Sequence, residues 1–172
     1  MTMFKKQVRF TGKHAEIMQK YCKDKGGEQE VPFIISNNSG EQKPFYIFET
    51  RVEIYMIAGM LGILQNKQAA EDKGKYTATI MTEMLEKQRL NLERIYQHMI
   101  LSTLSDLSTD AKIKKAFSIR QTDDECDKEQ QRLENYVRGG LEIIDDLFKD
   151  CKTYEDICNS LFKLDDILKL ED

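Results

Sequence analysis

The chain has 172 residues, the length of one domain, with 40% hydrophobic and 33% charged residues, two prolines and no tryptophan; this excludes disorder throughout and suits a helical protein with solvated outer faces. No stretch reaches membrane-spanning length, and the start, MTMFKKQVRF, lacks a signal-peptide apolar run, so the protein is expected to stay in the cytosol. The net charge of −4 is unevenly spread: residues 1–25 carry seven Lys or Arg against two acids, whereas residues 123–172 carry seven against sixteen.

A basic end can meet phosphate and an acidic end repels it, so any nucleic-acid contact is expected at the N-terminus; alternatively the two charged surfaces face each other. Cys22, Cys126, Cys151 and Cys158 contain no CxxC pair and are expected to be reduced thiols packed against other side chains. The only histidines, His14 and His98, have no His or Cys four residues away, so no zinc site is expected.

In chain order, Gln7 to Phe10 alternates apolar and polar residues as a short strand does. Thr11 then caps a helix running to about Asp24, with Ala15, Ile17, Met18, Tyr21 and Cys22 as its apolar face and Lys25, Gly26 and Gly27 ending it. Val31 to Ile35 precedes the turn cluster Asn37 to Gly40 and reads as an edge strand, since Pro32 has no amide to donate. A second strand is expected at Phe45 to Phe48, so residues 1–48 form a basic strand, helix and loop region before a helical core over 49–172.

The stretch that organises the chain is Thr50 to Leu64, TRVEIYMIAGMLGIL. Thr50 and Glu53 form a capping box, and ten of the thirteen residues from Val52 to Leu64 are apolar. Such a helix is hydrophobic on nearly every side, and at about 20 Å it is short of the roughly 30 Å a membrane span needs. It is expected at the centre of the fold. Gly59 and Gly62 near its end each cost about 1 kcal/mol against alanine, a cost that close approach by another element offsets. Gln65 to Lys75 reads as an exposed loop or a frayed extension.

From about Thr79 to Ser105 the pattern is helical, with Met84, Leu85, Leu92, Ile95, Tyr96, Met99 and Leu104 along one face, although TATIM at its start also suits extended chain. Ser108 to Phe117 is a short capped helix whose Lys112, Lys114 and Lys115 form a basic patch near Arg120. Asp123 to Asp150 reads as the longest helix, with a stripe of Cys126, Leu133, Val137, Gly140, Leu141, Ile144, Leu147 and Phe148. Gly139 and Gly140 interrupt it, and a tight helix crossing is expected there. Thr153 and Asp156 cap a last helix through Leu168, with Ile157, Leu161, Leu164 and Leu168 inward.

The search for chemistry finds no catalytic set, cofactor motif or metal cluster in this pattern. TGKH at Thr11 to His14 has a Gly-Lys pair without the spaced glycines of a phosphate loop. Asp123/Asp124, Asp145/Asp146 and Asp165/Asp166 are adjacent on helices, where neighbours point about 100° apart and do not converge on one ion. His98 has no nucleophile or third polar partner nearby in sequence.

Two stretches, FETRVEIYMIAGMLGIL at Phe48 to Leu64 and ENYVRGGLEIIDDLF at Glu134 to Phe148, carry a family resemblance. Together with the N-terminal strand and helix, their order resembles the Dnd-system-associated proteins of bacterial DNA phosphorothioation loci, which have an F-x-x-A-x-x-L-G helix and a late Y-x-x-G-G-L. It is also similar to the small subunits that accompany SMC-like ATPases in three-component defence systems of the Lamassu type. Ala58, Leu61, Gly62, Tyr136, Gly139, Gly140 and Leu141 match, and Tyr55 stands where the pattern has phenylalanine. Gln65 to Gln68 lack the basic, proline-containing run that follows in the family, so no DNA-contact role carries onto that loop. The resemblance implies a helper subunit of a DNA-directed defence complex and transfers no catalytic residue.

These observations lead to an expected fold and function. The fold is a mainly α, single-domain helical bundle around a buried central helix, with a small N-terminal β-element. The function is that of a non-catalytic adaptor without cofactor or membrane contact, binding a larger ATPase or nuclease subunit, with self-association also open. Met56, Gly59, Met60, Gly62, Gly139 and Gly140 are the candidates for partner interface or close packing. Two alternatives are direct DNA binding by Lys5, Lys6, Arg9 and Lys13, and an acidic, phage-encoded helical inhibitor using Asp145, Asp146, Asp165 and Asp166.

Overall fold

Four short strands and seven helices are arranged along the 4–24, 31–117 and 122–169 segments that the computed structural model describes, the last five elements all being helices. In chain order they are β1 (Val8–Thr11), α1 (Gly12–Tyr21), β2 (Ile34–Ser36), β3 (Gln42–Pro44), α2 (Arg51–Leu64), β4 (Thr77–Ile80), α3 (Thr82–Lys87), α4 (Arg89–Thr103), α5 (Thr109–Ala116), α6 (Asp123–Phe148) and α7 (Tyr154–Leu168). The fold is mainly α, with two small two-stranded antiparallel sheets, β1–β4 and β2–β3.

The helix starts follow from local chemistry. The Thr50 hydroxyl accepts the Glu53 amide at 3.3 Å and the Glu53 carboxylate accepts the Thr50 amide at 3.2 Å, which fixes the start of α2. The same reciprocal box starts α6 at Thr122 and Glu125 and α7 at Thr153 and Asp156. Two of the orphan amides at each of these ends are thereby satisfied within the helix.

Helix α2 lies at the centre, packed mainly on α6 and also on α4 and α7, with Ile54, Ala58 and Leu61 wholly buried. The crossing with α6 is close because it lacks side chains where the backbones meet. A Cβ on Gly140 would strike the Ala58 carbonyl, and one on Gly62 would strike the Tyr136 carbonyl. Gly139 lies against the Lys67 carbonyl just beyond α2. Around this crossing Tyr55, Tyr96, Tyr136, Phe10 and Phe148 fill the interior.

Several expectations are corrected. The extended reading of TATIM holds, since Thr77–Ile80 pairs with β1 in the register Val8↔Ile80 and Phe10↔Ala78, but the helical stretch after it is not one helix and breaks at Gln88, with φ −105° and ψ 14°. The strand β1 needs a partner for its amides and carbonyls, and TATI, alternating partly and fully buried positions, supplies it. The second strand of the hairpin is Gln42–Pro44 rather than Phe45 to Phe48, because the turn at Asn37 to Gly40 sets Ser36 opposite Gln42. Phe48 instead meets Cys22, and the Ile47 and Phe48 amides both donate to the Tyr21 carbonyl, ending α1 at Tyr21 rather than Asp24. Gly26, Gly27 and Arg120 lie outside the described residues.

Leu161 does not face inward but is 42% exposed. The buried face of α7 is Ile157, Ser160 and Leu164, and the Ser160 hydroxyl donates to the Leu147 carbonyl at 2.7 Å. Leu161, one step of about 100° further round, is carried out to solvent.

Candidate functional site

The basic N-terminal region and the acidic helix α6 face each other. Lys6 Nζ lies 2.9 Å from Asp127, Lys13 Nζ 2.8 Å from Glu142 and Lys20 Nζ 3.2 Å from Asp145. Lys67, just past α2, reaches the other Glu142 oxygen at 3.3 Å. Of the four residues expected to contact DNA, Lys6 and Lys13 are therefore held in ion pairs, while Lys5 and Arg9 are exposed. The pairing has a periodic basis: Lys13 and Lys20, seven apart, share one face of α1, and Glu142 and Asp145, three apart, share one face of α6. Glu142, the hub of the seam, escaped the sequence analysis, although this matched spacing signals it.

Between α1 and α6 these side chains line a cleft of about 350 Å³, with Lys13, Lys20, Lys67, Glu142 and Asp145 among its walls. Behind it His14 is wholly buried, its Nε2 3.3 Å from Glu142 Oε1. Burial pushes the His14 pKa below its ordinary value, outweighing the Glu142 hydrogen bond, and Lys13 and Arg138 add to the lowering. On the neutral ring Nε2–H donates to Glu142, and Nδ1 has no hydrogen-bond partner among the described residues. Burial alone raises a carboxyl, but hydrogen bonds from Lys13, His14 and Lys67 hold Glu142 below the usual carboxylate range. The Tyr21 hydroxyl donates to Asp145 at 2.7 Å, and burial, then this bond, holds the phenol neutral.

The adjacent acids diverge as helical geometry requires: Asp145 turns to α1, whereas Asp146 pairs with Lys149 at 2.7 Å. Among the described residues no group of three or more His, Cys, Asp or Glu is placed to hold a metal ion. Cys22, Cys126 and Cys151 are buried and Cys158 is exposed. Burial pushes the Cys22 thiol up to about 12, which keeps it protonated and unreactive.

The TGKH stretch is filled by the protein itself. Residues 67–76 cross α6, where the Ala69 amide donates to the Asn135 carbonyl, and then reach the start of α1. There the Thr11 hydroxyl, expected to cap the helix, donates to the Asp72 carbonyl at 2.5 Å, and the Lys13 amide donates to the Asp72 carboxylate at 2.7 Å. The place an anion takes at a helix N-terminus is occupied by Asp72. Gly12 makes this possible with φ +60°, which leaves no room for a Cβ beside Asp72.

Of the residues named for partner contact or close packing, Gly62, Gly139 and Gly140 lie against backbone carbonyls that leave no room for a Cβ, whereas a Cβ on Gly59 would meet Val137, Ile95 and Leu133 at ordinary contact distance. Met56 and Met60 are partly buried against the core. Among the described residues the large apolar side chains left exposed lie elsewhere: Ile34 (46%) on β2, Met81 (47%) before α3, Leu90 (69%) and Leu101 (38%) on α4, Ile113 (47%) and Phe117 (57%) on or just past α5, and Tyr154, Leu161 and Phe162 on α7. Only their spacing marks them in sequence, since Leu90 and Leu101 fall off the stripe of Leu92, Ile95, Tyr96 and Met99. Beneath β1 a buried polar nest joins Arg138, Glu134 and Asn135, with Arg138 5.6 Å from the Phe10 ring centroid. Burial raises the Glu134 pKa, and the wholly buried Tyr55 hydroxyl nearby has no hydrogen-bond partner among the described residues. This chain matches no protein-family model, no curated protein and no solved structure.

Proposed function

We propose that this protein is a non-catalytic accessory subunit of a bacterial anti-phage defence complex acting on DNA, in which it binds a larger ATPase or nuclease subunit. The observation that supports the adaptor reading is the packed pair α4–α5, which exposes Leu90, Leu101, Ile113 and, at its end, Phe117. Exposed apolar side chains with Arg94, Lys112 and Lys114 on the same two helices suit a partner with an apolar patch and an acidic rim. The defence setting comes from the resemblance, whose matching Gly62, Gly139 and Gly140 lie where α2 passes α6. Direct DNA binding is less favoured, because it draws Lys6 and Lys13 away from Asp127 and Glu142.

Expression of the native operon with a tag on this chain tests the proposal. A neighbouring ATPase or nuclease subunit is expected to co-purify, and Leu90→Glu with Ile113→Glu is expected to release it while leaving the circular dichroism spectrum unchanged. A wild-type chain that never retains a neighbour's product overturns the reading.

A further inference from the structure

The connection between α2 and β4 is fastened firmly at its ends and weakly in between. At one end the Asn66 and Lys67 amides donate to the Ile63 and Gly62 carbonyls, and Gln68 passes over Gly139 of α6; at the other the Gly12 amide donates to the Tyr76 carbonyl, continuing the β1–β4 ladder. Residues 68–74 have no such roots. Three hydrogen bonds hold them: the Ala69 amide to the Asn135 carbonyl at 3.0 Å, the Thr11 hydroxyl to the Asp72 carbonyl at 2.5 Å and the Lys13 amide to the Asp72 carboxylate at 2.7 Å. Glu71 lies 3.3 Å from the same Thr11 hydroxyl, whose single proton is already given.

Nothing apolar adds to these bonds. Gln68, Ala70, Glu71, Lys73 and Gly74 are exposed, Ala69 and Asp72 are half-buried, and no side chain of the segment enters the core. Apolar burial is the main stabilising term of a fold and a hydrogen bond traded against water contributes little net, so little opposes the entropy that the segment gains on opening. Charge does not lock it either. Glu142 and then Asp72 raise the Lys13 pKa, which marks an attraction, whereas burial and then Glu71 raise that of Glu134, which marks a repulsion from α6. Lys73 has no ion pair among the described residues.

We propose that residues 68–74 are a latch that opens as one unit while the helices stay folded, and that its opening uncovers the first turn of α1 and the α6 backbone at Asn135. Closed, Asp72 fills the start of α1; open, the Lys13 amide and the Thr11 hydroxyl face solvent. Access to that end of α1 is then set by the chain's own opening equilibrium. The latch uses neither α4 nor α5, so it stands apart from the adaptor reading.

Native-state hydrogen exchange of the full chain under rising urea reads the opening, with the Ala69 amide as reporter and the Leu61 amide of α2 as the global standard. Ala69 is expected to exchange about tenfold or more faster than Leu61, with little urea dependence because little surface is exposed, and Asp72→Ala to speed it further. A cap that acted on α1 alone would leave Ala69 unmoved, since its bond is to α6. Trypsin gives a second readout: cutting after Lys73 is expected while Arg132 and Arg138 of α6 stay uncut. An Ala69 amide that exchanges in step with Leu61 at every urea concentration overturns the proposal. So does an Ala69 rate that Asp72→Ala leaves unchanged, or a chain that resists cleavage at Lys73 until it unfolds.

Discussion

At the residue scale, the two helical glycines of α2 have opposite consequences. A Cβ built on Gly59 meets Val137, Ile95 and Leu133 at 3.5 to 3.8 Å, ordinary van der Waals distance, so an alanine fits. Gly59→Ala is expected to raise stability by up to about 1 kcal/mol, since it removes the helix-propensity cost of glycine and adds contacts. At Gly62 and Gly140 the neighbour is a backbone carbonyl that no rotamer change can move. Gly140→Ala forces α6 away from α2 and is expected to cost about 1 to 3 kcal/mol, the range for overpacking a filled core. Urea denaturation of the two variants checks both signs; a Gly140→Ala protein as stable as the wild type shows that the crossing yields without cost. The GG pair in YVRGGLEII advertises a close approach, but nothing in its local pattern says that its partner is Ala58, because the contact joins residues 82 positions apart.

At the element scale, what holds each helix start was legible where the cap is local and illegible where it comes from elsewhere. Thr50 with Glu53 and Thr153 with Asp156 are read directly from four-residue windows. For α1 the sequence offers Thr11, yet the cap is Asp72, more than fifty residues downstream on the 67–76 segment. That segment looks like an exposed loop from composition, because its ordering contacts are backbone bonds, such as Ala69 to Asn135, that leave no hydrophobic trace. For β4 the threonines and isoleucine of TATIM allow extended chain, but the helical period of the residues after it leaves the choice open until β1 supplies a partner. Asp72→Ala removes the acceptor of the Lys13 amide and is expected to destabilise the protein by about 1 kcal/mol, the usual cost of a lost cap. Native-state hydrogen exchange locates the effect: the Lys13 amide and those of the first turn of α1 should exchange faster, while amides in α4 stay as protected as before. Equal loss across all helices contradicts a local cap.

At the scale of the whole molecule, the opposite charges at the two ends of the chain become an internal seam, and its members differ in worth. The Lys6–Asp127 pair, with side chains 71% and 57% exposed, contributes at most about 1 kcal/mol and weakens with salt. The His14–Glu142 contact is different in kind because the ring is wholly buried. Since burial lowers the His14 pKa below its ordinary 6.5, the unfolded chain takes up a proton there before the folded one does. Stability is therefore independent of His14 at higher pH, and falls as pH drops through 6.5 toward the folded value. Every tenfold weakening of proton affinity in the fold corresponds to about 1.4 kcal/mol. Glu142, held below the usual carboxylate range, adds a second loss only at lower pH, as it protonates below its ordinary 4.5. Its protonation also releases Lys13 and Lys67, so the seam opens in that lower window. His14→Gln removes the upper step and leaves the lower one. Its unfolding free energy from urea titrations should not fall from about pH 7 down to about pH 5, where His14 draws the wild type down, because Glu134, its pKa raised by burial, adds stability as pH drops. If the two curves decline in parallel over that interval, the buried ring is not the group that couples this fold to protons, and the charge seam must be read without it.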